Sequence, residues 1–391
     1  MADALHSALA WLREQTPSME RDLAELVEQN SFTDHREGGQ AVGARLAALF
    51  ALPGLAARSV PSPSGRYADH LVWSTAAPGA PVALVGHLDT VFPPGSFEGY
   101  RRDGDLRRGP GVLDMKGGLV VVAYALRALA EGGLLASVPL RVVVVADEEV
   151  GSPEGKAVIA EAALGASAAL VFEAGRAKDA IITRRKGTGG LRAVASGKAA
   201  HAGNLHHEGV NAIWALARFV DAAQGLTDYA RGVTVNVGDF HGGLNKNTVP
   251  DRAEAKIDIR FCAQADGQAL VDALAEAARR AAAGVPGARV ELEGGLARLP
   301  LERSEASGRL AERYGACARD EGLGADEAPL LGGGSDANTT SALGIASIDG
   351  LGPRGKGFHT SDEQIEVATL VPKAAALARF LAAEARGRGA P

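Results

Sequence analysis

The chain reads as an α/β protein, a mostly parallel sheet with helices on both faces, interrupted by an inserted α+β domain. Three observations predict this. Apolar runs of strand length alternate with Ala- and Leu-rich helical stretches through the first half, the pattern of a parallel sheet covered by its own crossovers. The run Leu140–Ala146 (LRVVVVA) carries four consecutive β-branched valines, the signature of a buried strand. Near Lys186 the style changes. Ala253–Cys262 alternates strictly, with Ala255, Ile257, Ile259 and Phe261 on one face, as a strand with one solvated side does.

The elements follow in order. Residues 3–30 carry Leu5, Leu9 and Leu12, then Leu23, Leu26 and Val27, at helical spacing, and Pro17 divides them into two helices. Pro81–Gly86 is a short apolar run, Gly118–Ala130 a helix, and Leu140–Ala146 the strongest strand. Ala157–Leu164 is helical and Ala168–Phe172 a further strand. Gly190–Ser196 and Arg231–Val237 read as strands around a helix at His207–Ala223. Ala253–Cys262, a helix at Gly267–Ala283 and a closing strand at Arg289–Glu293 complete a β-α-β-β-α-β unit, the split βαβ (ferredoxin-like) arrangement. After Pro300 the parallel style resumes and ends in a helix at Val367–Arg386. A chain of 391 residues exceeds what one core serves. The expected domains are residues 1–186 with 298–391, and an insertion at 187–297.

Composition narrows the function classes. Hydrophobic residues are 46% and charged residues 23%, as in soluble globular proteins. A formal net charge of −6 argues against a nucleic-acid partner, which needs a basic face. Cys262 and Cys317 form neither a disulfide framework nor a CxxC zinc pattern. No apolar run approaches the ~18 residues of a membrane span. Glu14, Glu20, Asp22 and Glu25 lie in the N-terminal helical pattern, where a signal peptide would be basic and then apolar. A cytoplasmic location is expected.

Chemistry-bearing residues gather at expected strand ends and helix starts. His87 and Asp89 follow the first apolar run, and side chains at i and i+2 of an extended segment point the same way. His87 can ligate a metal while Asp89 backs it, though a His-x-Asp taken alone is more often a turn histidine with a capping Asp. Asp114 lies in GPGVLDMKGG, just before a helix. That stretch satisfies neither GxxxxGK[ST] nor GxGxxG, and its acid would repel phosphate. A short carboxylate there can instead face a cation and bridge two. Asp147-Glu148-Glu149 ends the buried run. Adjacent residues of a strand point oppositely, so Glu148 and Glu149 are expected to divide the work of metal ligand and general base. Glu173 ends the next strand, and His359 precedes the last helix. Imidazole with carboxylate suits Zn²⁺, with Co²⁺ or Mn²⁺ as substitutes. Ser335, in GGGSDA, fails the GxSxG pattern of a nucleophile elbow.

Taken together, these stretches resemble the M20 metallopeptidases, most closely the glutamate carboxypeptidase branch. The resemblance rests on GHLDTVFPPG at 86–95, GPGVLDMKGG at 109–118, VVADEEVGSPEGK at 144–156 and FEAG at 172–175. It continues through RRKGTG at 184–189, KAAHAGNLHHEGVNAI at 198–213, NVGDFHGGLNKNTVPDRAEAKIDIR at 236–260, and the segment 331–363 that ends in FHTSDE. It implies a zinc-peptidase-type α/β domain with an inserted dimerisation and lid domain. It implies two Zn²⁺ per subunit, with His87 on one and His359 on the other. Asp114 would bridge them and be followed by a non-proline cis peptide. Glu149 and Glu173 would each serve one metal. Glu148 would be the general base, Asp89 would orient His87, and His201 would stabilise the oxyanion. Asn247 and Arg260 would hold the substrate's free carboxylate, and Gly334 falls among the substrate-binding positions.

The expected function is a di-metal hydrolase that releases a C-terminal amino acid from a small N-acyl or peptidyl substrate. Its expected partners are such a substrate and a second copy of the chain, with no nucleic acid and no membrane. The competing expectations are an N-acyl-amino-acid deacylase of the acetylornithine or succinyl-diaminopimelate type, and a non-catalytic binding protein on the same fold. Arg184, Arg185, Lys186, Arg354 and Lys356 are candidate cations for an acidic side chain. The doublet His206-His207 reads as solvated surface. Phe358 departs from the small residue that many relatives carry before the histidine.

Overall fold

A computed structural model describes residues 2–387. The chain forms two compact units. One comprises the residues up to Arg184, Arg303–Leu330 and the residues from Ser335 onward; the other comprises Arg185–Glu302 and Leu331–Gly334.

The first unit is built on a six-stranded, mainly parallel sheet. Its order is Ala56–Val60, His70–Ser74, Leu140–Val145, Val82–His87, Ala168–Val171, Ser347–Ile348. The last four pair in parallel, and His70–Ser74 runs antiparallel to both its neighbours. Val82–His87 is buried at every position, which is why its sequence shows no alternation. Helix Lys116–Glu131 packs on the sheet and is buried along nearly its whole length. The N-terminal stretch is two helices, Ala2–Arg13 and Thr16–Glu28, with Pro17 in the first turn of the second.

Helix Arg36–Leu49 escapes the periodicity reading because Gly38, Gly39 and Gly43 lower its propensity. The glycines serve packing. A Cβ on Gly38 would stand 2.0 Å from the Asn30 carbonyl oxygen, and one on Gly39 2.7 Å from the Ala68 methyl.

The second unit is a four-stranded antiparallel sheet ordered Thr234–Gly242, Arg252–Phe261, Gly187–Ser196, Arg289–Arg298. Helices Ala212–Gln224 and Gln264–Ala283 contribute Leu216, Phe219, Leu270 and Leu274 to its core, which meets Ile257, Ile259 and Phe261 from the sheet. Arg252–Phe261 alternates between buried and accessible positions along its length. Its accessible row carries Arg252, Glu254, Lys256, Asp258 and Arg260. Among the described residues no helix is long and apolar enough to cross a membrane.

Candidate functional site

Three adjacent parallel strands of the first unit end side by side and deliver the groups singled out from sequence. His87 is the last residue of its strand. Glu148 and Glu149 follow Leu140–Val145, and Glu173 follows Ala168–Val171. Open parallel sheets place their chemistry at this edge. Asp114 joins from the start of helix Lys116–Glu131, where paired glycines let the helix press close. A Cβ on Gly118 would stand 2.0 Å from the Phe172 carbonyl oxygen, so helix start and Glu173 strand share one corner. The Asp114–Met115 peptide is cis. His359 sits in a turn with φ of 61°.

Asp114 stands between the two imidazoles. Its Oδ1 lies 3.3 Å from His87 Nε2 and its Oδ2 3.3 Å from His359 Nε2. Each imidazole has a second carboxylate: Glu173 Oε1 at 3.7 Å from His87 Nε2, and Glu149 Oε2 at 3.1 Å from His359 Nε2. The carboxylate of Glu148 groups with His87 and Glu173, their ligand atoms lying within 4.8 Å of one another. Glu148 and Glu149 do not extend the strand, as the sequence reading assumed. They lie on a single 3-10 turn, Glu148–Val150, so their different partners come from the turn rather than from strand alternation.

Asp89 organises this turn and the first histidine together. Its carboxylate accepts from the backbone N–H of Glu148 (3.1 Å) and Glu149 (3.2 Å) and from the Thr33 hydroxyl (2.7 Å). Its carbonyl oxygen is 3.0 Å from His87 Nδ1. A proton on Nδ1 is thereby fixed, and Nε2, which faces Asp114 and Glu173, is the nitrogen that can take a metal in place of its own proton.

The electrostatics are those of a site that favours cations. Burial works against ionisation of Asp114, yet hydrogen bonds from His359 and His87 hold its carboxyl well below the usual range. Burial, then the charge of Asp114, pushes Glu173 up to about 8. Hydrogen bonds to Asp114 and Glu149 raise His359 to about 10. His87 is raised well above its usual value, the opposing effect of burial being outweighed by Glu173 and Asp114. Among these side chains alone, protons supply the positive charge that the carboxylates demand. A divalent cation can replace them.

Two supporting residues carried no role in the sequence reading. Glu363 is buried and accepts from the backbone N–H of Gly111 (3.1 Å), Leu113 (2.8 Å) and Asp114 (2.9 Å), so it pins the loop that presents Asp114. Lys116 is fully buried with its Nζ 2.9 Å from the Gln29 carbonyl, and burial pulls it down to about 7. No local signal marks either one, because their partners are backbone groups distant in sequence.

The second unit carries the remaining candidates. His201 is exposed on the two-residue strand Ala200–His201, paired with Thr248–Val249. Its Nδ1 accepts from the N–H of Gly203 (3.1 Å) and Asn204 (3.0 Å), which leaves Nε2 as the outward N–H donor. Asn247 is beside it, its carbonyl accepting from Ala202 N at 3.0 Å. Arg260 is elsewhere. It lies eight residues along its strand from Arg252, roughly 26 Å at ~3.3 Å per residue. His201 and Asn247 lie beyond the Arg252 end, where Gly197 N bonds the Asp251 carbonyl. Within one chain, therefore, Arg260 and Asn247 stand at opposite ends of the sheet. Gly334 closes the short segment Leu331–Gly334 that belongs to this unit, and the Gly332 carbonyl there lies 3.4 Å from Arg260 Nη1.

Other candidates resolve more simply. Ser335 is the N-cap of helix Asp336–Ala342, and its hydroxyl donates to Asp349 at 2.6 Å. Arg354 is committed to Asp179 and Glu366, and Lys186 to the Gly232 carbonyl. His206 and His207 are exposed. The Phe358 ring meets that of His359 edge-on at 5.4 Å, and the Arg176 guanidinium lies over it at 5.1 Å.

Comparison with known proteins agrees with this architecture. The chain is 28% identical to carboxypeptidase G2 of a Pseudomonas species over 368 residues, which cover 92% of this chain and 87% of that protein. Its fold matches the aminopeptidase PepT of Bacillus cereus with a TM-score of 0.79 at 22% identity, covering 94% of this chain and 99% of that one. It also matches an M20 family metallo-carboxypeptidase, Sso-CP2, of Sulfolobus solfataricus with a TM-score of 0.72 at 18% identity, covering 92% and 97%. The model of peptidase family M20/M25/M40 matches residues 83–383, a span that includes every strand-end histidine and carboxylate described above and the whole second unit, and the chain belongs to that family of metal-dependent peptidases.

Proposed function

We propose that this enzyme is a two-metal carboxypeptidase that releases a C-terminal amino acid from a small N-acyl or peptidyl substrate. The observation that carries the reading is Asp114, whose two oxygens face two different imidazoles, each backed by a second carboxylate. His87, Asp114 and Glu173 would hold one ion, and His359, Asp114 and Glu149 the other. The donor set of imidazole and carboxylate fits Zn²⁺, or Co²⁺ and Mn²⁺ as substitutes. When bound, such ions polarise the scissile carbonyl and make water more acidic.

The chain's own residues do the rest. Glu148 takes a proton from the attacking water and passes it to the leaving nitrogen as the C–N bond breaks. Asp89 keeps the His87 ring in register. His201 Nε2–H donates to the developing oxyanion. Arg260 receives the terminal carboxylate, a pairing that guanidinium geometry favours.

The separation of Arg260 from His201 and Asn247 supports a homodimer. One small substrate cannot touch both ends of a single sheet, but two chains related by a two-fold axis can each lend an end to the other's site. The outer edges of Thr234–Gly242 and Arg289–Arg298 are unpaired within the unit, and an exposed edge invites such pairing. The name of the carboxypeptidase G2 relative favours release of a C-terminal residue over deacylation.

The test joins metal analysis to a substrate panel. Purified protein should approach two metal equivalents per chain and lose turnover on chelation. It should cleave chromogenic N-acyl-glutamates faster than N-acetyl or N-succinyl diamino acids. Full turnover after thorough demetallation would end the metal reading, and the reverse substrate preference would favour the deacylase.

A further inference from the structure

Arg260 stands on the accessible face of strand Arg252–Phe261, flanked in register by Thr188 and Thr234 of the neighbouring strands. Two residues earlier on the same face is Asp258. Its carboxylate takes the side edge of the guanidinium bidentately, with Arg260 Nε 2.8 Å from Oδ1 and Nη2 2.8 Å from Oδ2. The Gly332 carbonyl accepts weakly from Nη1 at 3.4 Å. A guanidinium has five N–H donors arranged in a rigid plane. With the side edge taken by Asp258 and one Nη1 hydrogen turned to Gly332, the donors left for a ligand are one on Nη1 and one on Nη2.

The pair is accessible to a ligand. The side chains of Asp258 and Arg260 are 46% and 34% exposed. Across the sheet, Asp258 faces Gly190, and Gly190 in turn faces Gly295. A Cβ on either glycine would meet nothing within 4 Å, so no side chain from these positions covers the approach.

We infer that Asp258 is a positioning and specificity-determining residue that holds Arg260 side-on, so that one substrate carboxylate is received end-on in the guanidinium plane. A free arginine side chain has many rotamers to lose on binding, and Asp258 removes that cost beforehand. It also halves the anion capacity of Arg260, so that the cation accepts one carboxylate and not two. This inference rests on the reading of Arg260 as the carboxylate receptor.

The experiment is a double-mutant cycle on the metal-loaded enzyme with Asp258→Ala, Arg260→Ala and both changes together. The substrates are a chromogenic N-acyl-glutamate and its α-carboxamide. Asp258→Ala should raise KM for the free acid up to about tenfold, the scale of ordering one rotamer-rich side chain on binding, with kcat nearly unchanged. It should leave the amide unaffected and add nothing in the Arg260→Ala background, and Asp258→Glu should restore part of the loss. Equal loss on acid and amide, or additivity in the cycle, overturns the inference. So does a lowered KM, which would make Asp258 a competitor for the cation. If Arg260→Ala fails to distinguish acid from amide, the receptor reading falls and takes this one with it. If Arg260→Ala distinguishes them and Asp258→Ala does not, only Asp258 is misassigned.

Discussion

Glu148 and Glu149 are neighbours in sequence with different surroundings, and the difference is testable one residue at a time. Glu149 faces His359 at 3.1 Å, whereas Glu148 groups with His87 and Glu173. Glu148→Gln should lower kcat by roughly 10²–10⁴ while both metal equivalents remain, as expected for loss of a general base. Loss of one equivalent instead would make Glu148 a ligand. The histidines give a second prediction. His359 is raised from its usual 6.5 to about 10 by Asp114 and Glu149, so at neutral pH it holds a proton that a metal must displace. Zinc titrations of chelator-stripped protein should therefore release protons, and the apparent affinity should rise with pH. Calorimetry in two buffers of different ionisation enthalpy reads this directly, and identical heats would contradict it. In stripped protein the same raised pKa contributes stability that is present below about 6.5 and lost as pH rises toward about 10.

At the scale of elements, boundaries depend on caps and close approaches more than on periodicity. The helix expected from His207 begins at Ala212, because Asn211 caps it by accepting from Trp214 N at 2.9 Å. The residues His206–Glu208 form a separate 3-10 turn. The closing strand expected to stop at Glu293 runs on to Arg298 through Gly294 and Gly295. A Cβ on Gly294, with φ of +96°, would stand 2.3 Å from the Gly190 carbonyl oxygen, so the double glycine that looks like a stop is what lets the ladder continue. The turn Ala177–Asp179 and helix Leu370–Gly387 are joined by a buried ion network. Asp179 lies 2.6 Å from Arg354 Nη2 and 3.5 Å from Lys373 Nζ, and both Asp179 and Lys373 are only 3% exposed. Asp179→Ala strands the Lys373 ammonium in the interior and should cost about 3–5 kcal/mol by chemical denaturation. Adding Lys373→Met should recover much of it. A cost below about 1 kcal/mol would mean the network is better solvated than its burial implies.

At the scale of the whole molecule the proposed homodimer makes a prediction of its own. Inactive His201→Ala and Glu148→Ala enzymes, mixed under subunit exchange, should regain activity if His201 serves the partner's site. One site of the mixed dimer then combines an intact Glu148 with an intact partner His201, and the other carries both lesions. The expected recovery is about half the wild-type value per mixed dimer, which follows from two-fold symmetry. Exchange without recovery would place His201 in its own chain's site or in none.

The amino-acid sequence by itself determined the fold class and which acidic and histidine side chains stand at the strand ends, because buried parallel strands and the charged residues that end them leave local signatures. The run Leu140–Val145 and the alternation from Arg252 to Phe261 were legible for that reason. Only the tertiary structure decided which carboxylate faces which histidine, since His87, Asp114, Glu173 and His359 come from four separate segments. It alone revealed Glu363, whose bonds to Gly111, Leu113 and Asp114 are made across some 250 residues to backbone groups that carry no side-chain code. It alone separated Arg260 from Asn247, because strand length and pairing register, not residue type, set the distance between the two ends of a sheet.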